Sequence, residues 1–114
     1  MEIRGDSLLG VPLLAITGDV DHSTAPDLDR AIRDALHADD PRLVMDLTSC
    51  SYIDSGGLAV FLYLVRGLRA DGWLGVVGAD RNIYRLFEIV GLTREPGLRM
   101  FDRVEEAAAM VGGR

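Results

Sequence analysis

Apolar residues along the chain fall into two rhythms, and the points where one gives way to the other outline the elements. Leu13-Leu14-Ala15-Ile16, Leu43-Val44-Met45 with Leu47, and Trp73-Leu74-Gly75-Val76-Val77 are short, nearly continuous apolar runs. Bounded by turn residues, such runs predict strands buried on both faces. Between them the spacing turns helical: Leu28, Ala31, Ile32, Ala35 and Leu36, then Leu58, Phe61, Leu62, Val65 and Leu68, then Ile83, Leu86, Phe87 and Val90. Each set lines one face of a helix with 3.6 residues per turn. Ahead of all of these, the Gly10 turn between Leu8-Leu9 and Val11-Pro12 predicts a β-hairpin running to Gly18.

Start and stop signals place the helices. Ser23-Thr24-Ala25-Pro26-Asp27 predicts a helix start with a hydroxyl cap, a proline in the first turn and a carboxylate at the positive end. Asp39-Asp40-Pro41 breaks that helix. A second is expected from Gly57 to Ala70 with Asp71-Gly72 as its stop, and a third from Arg81 to Val90 closed by Gly91. A brief strand around Leu98 to Phe101 precedes a last helix over Val104 to Val111, with Asp102 as its cap and Gly112-Gly113 as its terminator. Strands alternating with helices after a hairpin imply an α/β domain whose mixed sheet is mostly parallel, with right-handed crossovers and about four helices. The 114 residues, 48% of them hydrophobic, supply one core and leave no room for another, so a single domain over 1–114 is expected.

Charge and cysteine content narrow the chemistry. A net charge of −6 disfavours nucleic acid and anionic membrane surfaces as direct partners, which leaves a basic or mixed protein surface. Cys50 is the only cysteine and His22 and His37 the only histidines, so neither a disulfide nor a metal centre is expected, and the glycines at 72, 75 and 78 lack the spacing of a nucleotide cradle. No cofactor is implied. The stretch Met1-Glu2-Ile3-Arg4-Gly5-Asp6 has no basic-then-apolar pattern and no run approaches the ~18 apolar residues of a span, so the expected location is cytoplasmic, without membrane insertion.

One junction stands apart from the scaffold. The run Asp54-Ser55-Gly56-Gly57-Leu58 follows the central strand and opens the second helix, at the sheet edge where α/β proteins keep their sites. Asp54 and Ser55 are both capping residue types, and Gly56 and Gly57 strip away bulk that would shield the Ser55 hydroxyl from a visiting active site. A phosphate there would meet free N–H groups and the positive end of the helix, leaving the fold intact. It would also add about −1.5 to −2 charge to any interface centred on the turn. An isolated Asp-Ser-Gly tripeptide is first of all a cap and a tight turn; the strand before it and the amphipathic helix after it give it a further meaning. His22 reads as an exposed loop residue beside Asp21, Cys50 as a half-buried loop residue, and Asp46 as a partner for a nearby turn. No triad-like arrangement of His22 or His37 with Ser55 is evident, so a serine hydrolase is not expected. Phe61, Tyr63 and Tyr84 are not all placed by periodicity, and any apolar residues left exposed on the second and third helices would extend a partner face.

Together with Gly18-Asp19-Val20-Asp21-His22-Ser23-Thr24-Ala25-Pro26, Leu43-Val44-Met45-Asp46-Leu47, Ile89-Val90-Gly91-Leu92 and Phe101 to Ala107, this junction resembles the STAS-domain anti-sigma factor antagonists. The resemblance implies a STAS fold and a chain that is not an enzyme. It implies that Ser55 is the phosphoacceptor and that Asp21, Asp54, Ser55, Gly56 and Gly57 form the partner face. The implied partners are an anti-sigma factor that is a GHKL-type serine kinase, released when it phosphorylates the chain, and a serine phosphatase that resets the switch. Asp19 stands where the family often has Glu, and Gly56 where it often has a second Ser. The run Asp54 to Ala59 is also similar to STAS subunits of bacterial phospholipid-transport complexes, which offers a regulatory transporter subunit without a phosphorylation cycle as the alternative.

Overall fold

The computed structural model describes residues 1–113. Five strands form one sheet in the order β1-β2-β3-β4-β5: β1 Glu2–Leu8, β2 Val11–Thr17, β3 Arg42–Ser49, β4 Trp73–Val77 and β5 Leu98–Phe101. The β1 and β2 strands pair antiparallel and every later neighbour is parallel. Four helices connect or close the sheet: α1 Ala25–Ala35, α2 Ser55–Gly67, α3 Arg81–Ile89 and α4 Val104–Gly112, with a single 3-10 turn at Leu92–Arg94. The predicted mixed sheet, hairpin and four helices are all present.

The hairpin turn is Leu9-Gly10, with φ of 52° and 89°. Both values lie in the left-handed region that lets a two-residue turn follow the right-handed strand twist. Its first strand starts six residues before Leu8, where the sequence is polar. As an edge strand β1 pairs on one side only, and five of its seven residues are exposed, so it never needed the apolar signature that betrays the inner strands.

Strand alternation splits the interior in two. Leu14, Ile16, Leu43, Met45, Leu47, Leu74 and Val76 point to one face, where they pack with Leu28 and Ile32 of α1, Leu58, Phe61 and Val65 of α2, and Ile83 and Phe87 of α3. The Phe61 and Phe87 rings meet with centroids 5.3 Å apart at an interplanar angle of 51°, a favourable tilted contact that ties α2 to α3. On the other face Val11, Leu13, Val44, Trp73 and Val77 pack against Ala107 and Val111 of α4. Three helices thus cover one side and α4 alone the other.

Several boundaries differ from those the sequence predicts. The α2 helix begins at Ser55, two residues early, and ends at Gly67, three residues short of Ala70. Ser23 and Thr24 do not cap α1 through their hydroxyls; the Asp21 carboxylate instead accepts from the Ser23 and Thr24 N–H groups, each at 3.0 Å, and Ala25 N–H donates to the Asp21 carbonyl. At α4 the expected cap Asp102 is displaced by Glu106, whose side chain reaches back to the Asp102 and Arg103 N–H groups at 2.9 and 3.1 Å. At α1 the carboxylate upstream of the two hydroxyls fixes the approach to the helix, and at α4 the carboxylate three residues past the cap Arg103 does so in place of Asp102.

Candidate functional site

Parallel strands deliver the chain to one edge of the sheet, and there two loops meet. The segment after β2 carries Gly18 to Thr24 and the segment after β3 carries Cys50 to Asp54. They are laced by backbone bonds: Gly18 N–H to the Ser49 carbonyl (3.0 Å), Val20 N–H to the Tyr52 carbonyl (2.9 Å) and Asp54 N–H to the Val20 carbonyl (3.0 Å). Val20 and Ile53 form an isolated parallel bridge and are fully buried, so the two loops share a floor.

Asp54 is the cap of α2. One carboxylate oxygen accepts from Gly57 N–H at 3.0 Å. The other accepts from the backbone N–H of His22 at 3.0 Å and lies 3.4 Å from His22 Nδ1. These donors, Gly57 first, hold the Asp54 carboxyl below the usual carboxylate range, so it is a fixed negative charge at neutral pH. Asp21 is likewise lowered, chiefly by the Ser23 hydroxyl at 2.7 Å and then by Thr24 N–H.

With the cap supplied by Asp54, Ser55 is the first residue inside the helix. Its side chain is exposed, and among the described residues none hydrogen-bonds its hydroxyl. The helix N-terminus beneath it retains the free N–H groups and partial positive charge common to such ends.

The two glycines also serve packing. A methyl group on Gly56 would lie 2.7 Å from His22 Cβ, and one on Gly57 would lie 2.7 Å from Val20 Cγ1 and 2.8 Å from Ile53 Cγ2. Their absent side chains let the first turn of α2 lie directly against the neighbouring loop. Periodicity does not reveal this, because His22 and Val20 come from a loop more than thirty positions away.

This loop-and-cap geometry sits within a longer match: the family model described as "Mlab, STAS domain" fits residues 5–102. The chain belongs to the STAS-domain family. Among curated STAS relatives, the anti-sigma-B factor antagonist of Listeria monocytogenes is 37% identical over 79 residues, covering 68% of this chain and 69% of the relative. An anti-sigma factor antagonist from Mycobacterium paratuberculosis has the same fold with a TM-score of 0.83 and 26% identity, covering 96% of this chain and 92% of the other. The anti-sigma factor antagonist SpoIIAA in its unphosphorylated form superposes with a TM-score of 0.74 over 99% of this chain and 100% of its own, at 19% identity, a likeness of fold alone.

Within this STAS chain, Asp54, Ser55, Gly56 and Gly57 are contiguous at the α2 start, and Asp21 stands on the adjoining loop. The residue that physically touches Asp54 is the one after it, His22, whose side chain is 86% exposed. His22 therefore pairs with Asp54, not with its sequence neighbour Asp21. Cys50 is buried rather than half-buried; its Sγ lies 3.6 Å from the Tyr52 carbonyl, and burial raises its thiol pKa, which leaves it a packing residue. Asp46 lies within β3 rather than at its end, and accepts from Thr48 N–H and Oγ1 of the same strand at 2.9 and 2.5 Å, not from a turn. Phe61 is fully buried, whereas Tyr63 is 82% exposed and borders a shallow groove between α1 and α2, floored by Ala25, Ala59 and Val60 and reaching His22 and Gly56. Sequence reasoning left Tyr63 unplaced; its position opposite the buried stripe of Phe61 and Val65 was the available signal. Among the described residues no cluster of side chains is arranged to hold a metal ion, and no helix is long and apolar enough to cross a membrane.

Proposed function

We propose that the chain is an anti-sigma factor antagonist that works by partner switching. In its unmodified form it binds an anti-sigma factor that is also a GHKL-type serine kinase, and so frees a sigma factor. The kinase then transfers the γ-phosphoryl group of ATP to Ser55 Oγ, ADP leaves, and a base on the kinase takes the hydroxyl proton; a serine phosphatase hydrolyses the ester to reset the switch. The chain is the substrate and the ligand of this cycle and catalyses no step of it.

The observation that carries the reading is the division of labour between Asp54 and Ser55. Because the carboxylate caps the helix, the hydroxyl beside it is exposed and uncommitted. The partner face comprises Asp21, Asp54, Ser55, Gly56 and Gly57, and the α1–α2 groove with Tyr63 extends it. A phosphate at Ser55 can be accommodated at the helix end, so the fold survives. It also brings a dianion next to a carboxylate that stays ionised, inside a surface that has to shed water to bind. The names of the curated relatives support the antagonist role over the transporter-subunit alternative.

Incubation with the cognate anti-sigma kinase and ATP is expected to add one phosphate to the wild type and none to Ser55→Ala, read by intact-protein mass spectrometry. Equal incorporation into both would place the acceptor elsewhere. Binding to a permease–ATPase assembly with no incorporation at all would favour the transporter subunit.

A further inference from the structure

Resting on the reading of Ser55 as the phosphoacceptor, we propose that His22 is a positioning residue that couples the charge on Ser55 to the Asp21 loop. The two halves of the partner face belong to different segments, and it is at this residue that the Asp54 carboxylate meets the Asp21 loop. Asp54 Oδ2 accepts from His22 N–H at 3.0 Å and has His22 Nδ1 at 3.4 Å. On the helix side, Gly56 leaves no Cβ, and the Cα and Cβ of His22 occupy the space next to it. On the loop side, His22 is bonded covalently to Asp21, whose carboxylate organises Ser23 and Thr24 and thereby the start of α1.

Asp54 has no freedom to turn away from a new charge. Both of its oxygens are committed, one to Gly57 and one to His22. A dianion at Ser55 therefore acts on a carboxylate held by two bonds and on the exposed imidazole beside it. The charged and titratable groups around that ring are Asp21 on its own loop, Asp54 and Tyr63 from α2, and Asp29 and Arg33 from α1, the last two joined in an ion pair of their own. With Arg33 engaged by Asp29, the His22 ring is the side chain that contacts Asp54, and added negative charge at Ser55 pulls it toward the helix end. The loop that carries Asp21 moves with it.

The test needs no kinase. Glutamate at position 55 supplies the charge, and the backbone amide resonances of Asp21, Ser23 and Thr24 report the loop. In the wild-type background at about pH 6, Ser55→Glu is expected to displace all three. In a His22→Gln background, which keeps the backbone N–H but has no cation, the displacement falls by at least about threefold. In His22→Arg, which keeps a cation, it returns. Displacements that are equal in the wild type and His22→Gln would overturn the coupling through the ring. Either result stands apart from the proposed function, which fails instead on phosphate incorporation at Ser55.

Discussion

Two neighbouring junctions of this sheet are built to the same plan and end up with different properties. After β3, Asp54 caps α2 through the N–H three residues on, at 3.0 Å; after β4, Asp80 caps α3 through the N–H of Ile83 at 2.8 Å. At the first, the residues that follow are Ser-Gly-Gly, and at the second Arg-Asn-Ile. Asp80 is bonded within its own helix, and the side chain three residues on, Ile83, is driven into the core. Asp54 reaches out to His22 with its second oxygen, and Gly57 stands where Ile83 stands, with Val20 and Ile53 filling the space its side chain would take. An aspartate cap at the end of a parallel strand is thus ordinary scaffolding. What distinguishes the β3 junction is that a second loop is fastened to it, with an unbonded hydroxyl on the outer side.

The widest separation between the junctions should be in partner binding. Ser55→Glu is expected to lower affinity for the anti-sigma factor by roughly a hundredfold, about 2.7 kcal/mol, because it sets a second negative charge beside Asp54 in a desolvating interface. Arg81→Glu, the same first helical position of α3, should change affinity by less than about threefold. Isothermal titration calorimetry measures both, and equal losses would mean that the partner face is centred elsewhere.

Packing gives the next contrast. Gly57→Val places methyl groups against Val20 and Ile53, and should reduce stability to urea by about 1–3 kcal/mol despite the better helix propensity of valine over glycine. Asn82→Ala, on the exposed side of α3, should stay within about 0.5 kcal/mol. A neutral Gly57→Val would show that the two loops are not held as closely as the contacts imply.

Acid dependence is the smallest and most specific difference. The native-state pKa of Asp54 is depressed, so its contribution to stability is fully present above its unfolded-state value of about 4 and is lost as pH falls through the lower native value. Asp54→Asn should therefore be less stable than wild type at pH 7, and the gap should close as the pH is taken below about 4. Urea midpoints collected across that range test the sign; a gap that persists in acid would assign it to lost packing.

Much of this architecture was legible before any coordinates. The apolar runs at Leu43 to Leu47 and Trp73 to Val77 identify inner strands because a strand with neighbours on both sides and helices on its faces has nowhere to put polar side chains. Leu28, Phe61, Phe87 and their helical companions mark inward faces for the same reason of burial. The Asp54-Ser55-Gly56-Gly57 run was visible as a strand-to-helix turn with a serine hydroxyl at its start.

What the sequence alone determined is therefore the local rhythm of the chain and the chemistry of one turn, because side-chain polarity and turn residues act over a few positions. The tertiary structure decided which carboxylate caps which helix, which half of the sheet α4 covers, and why Gly56 and Gly57 have to be glycine. It also decided that His22 belongs to Asp54 rather than to its neighbour Asp21. Each of these depends on groups that parallel strands bring side by side from distant parts of the chain, and a distance of about three ångströms between residues thirty-two positions apart leaves no trace in the spacing of either.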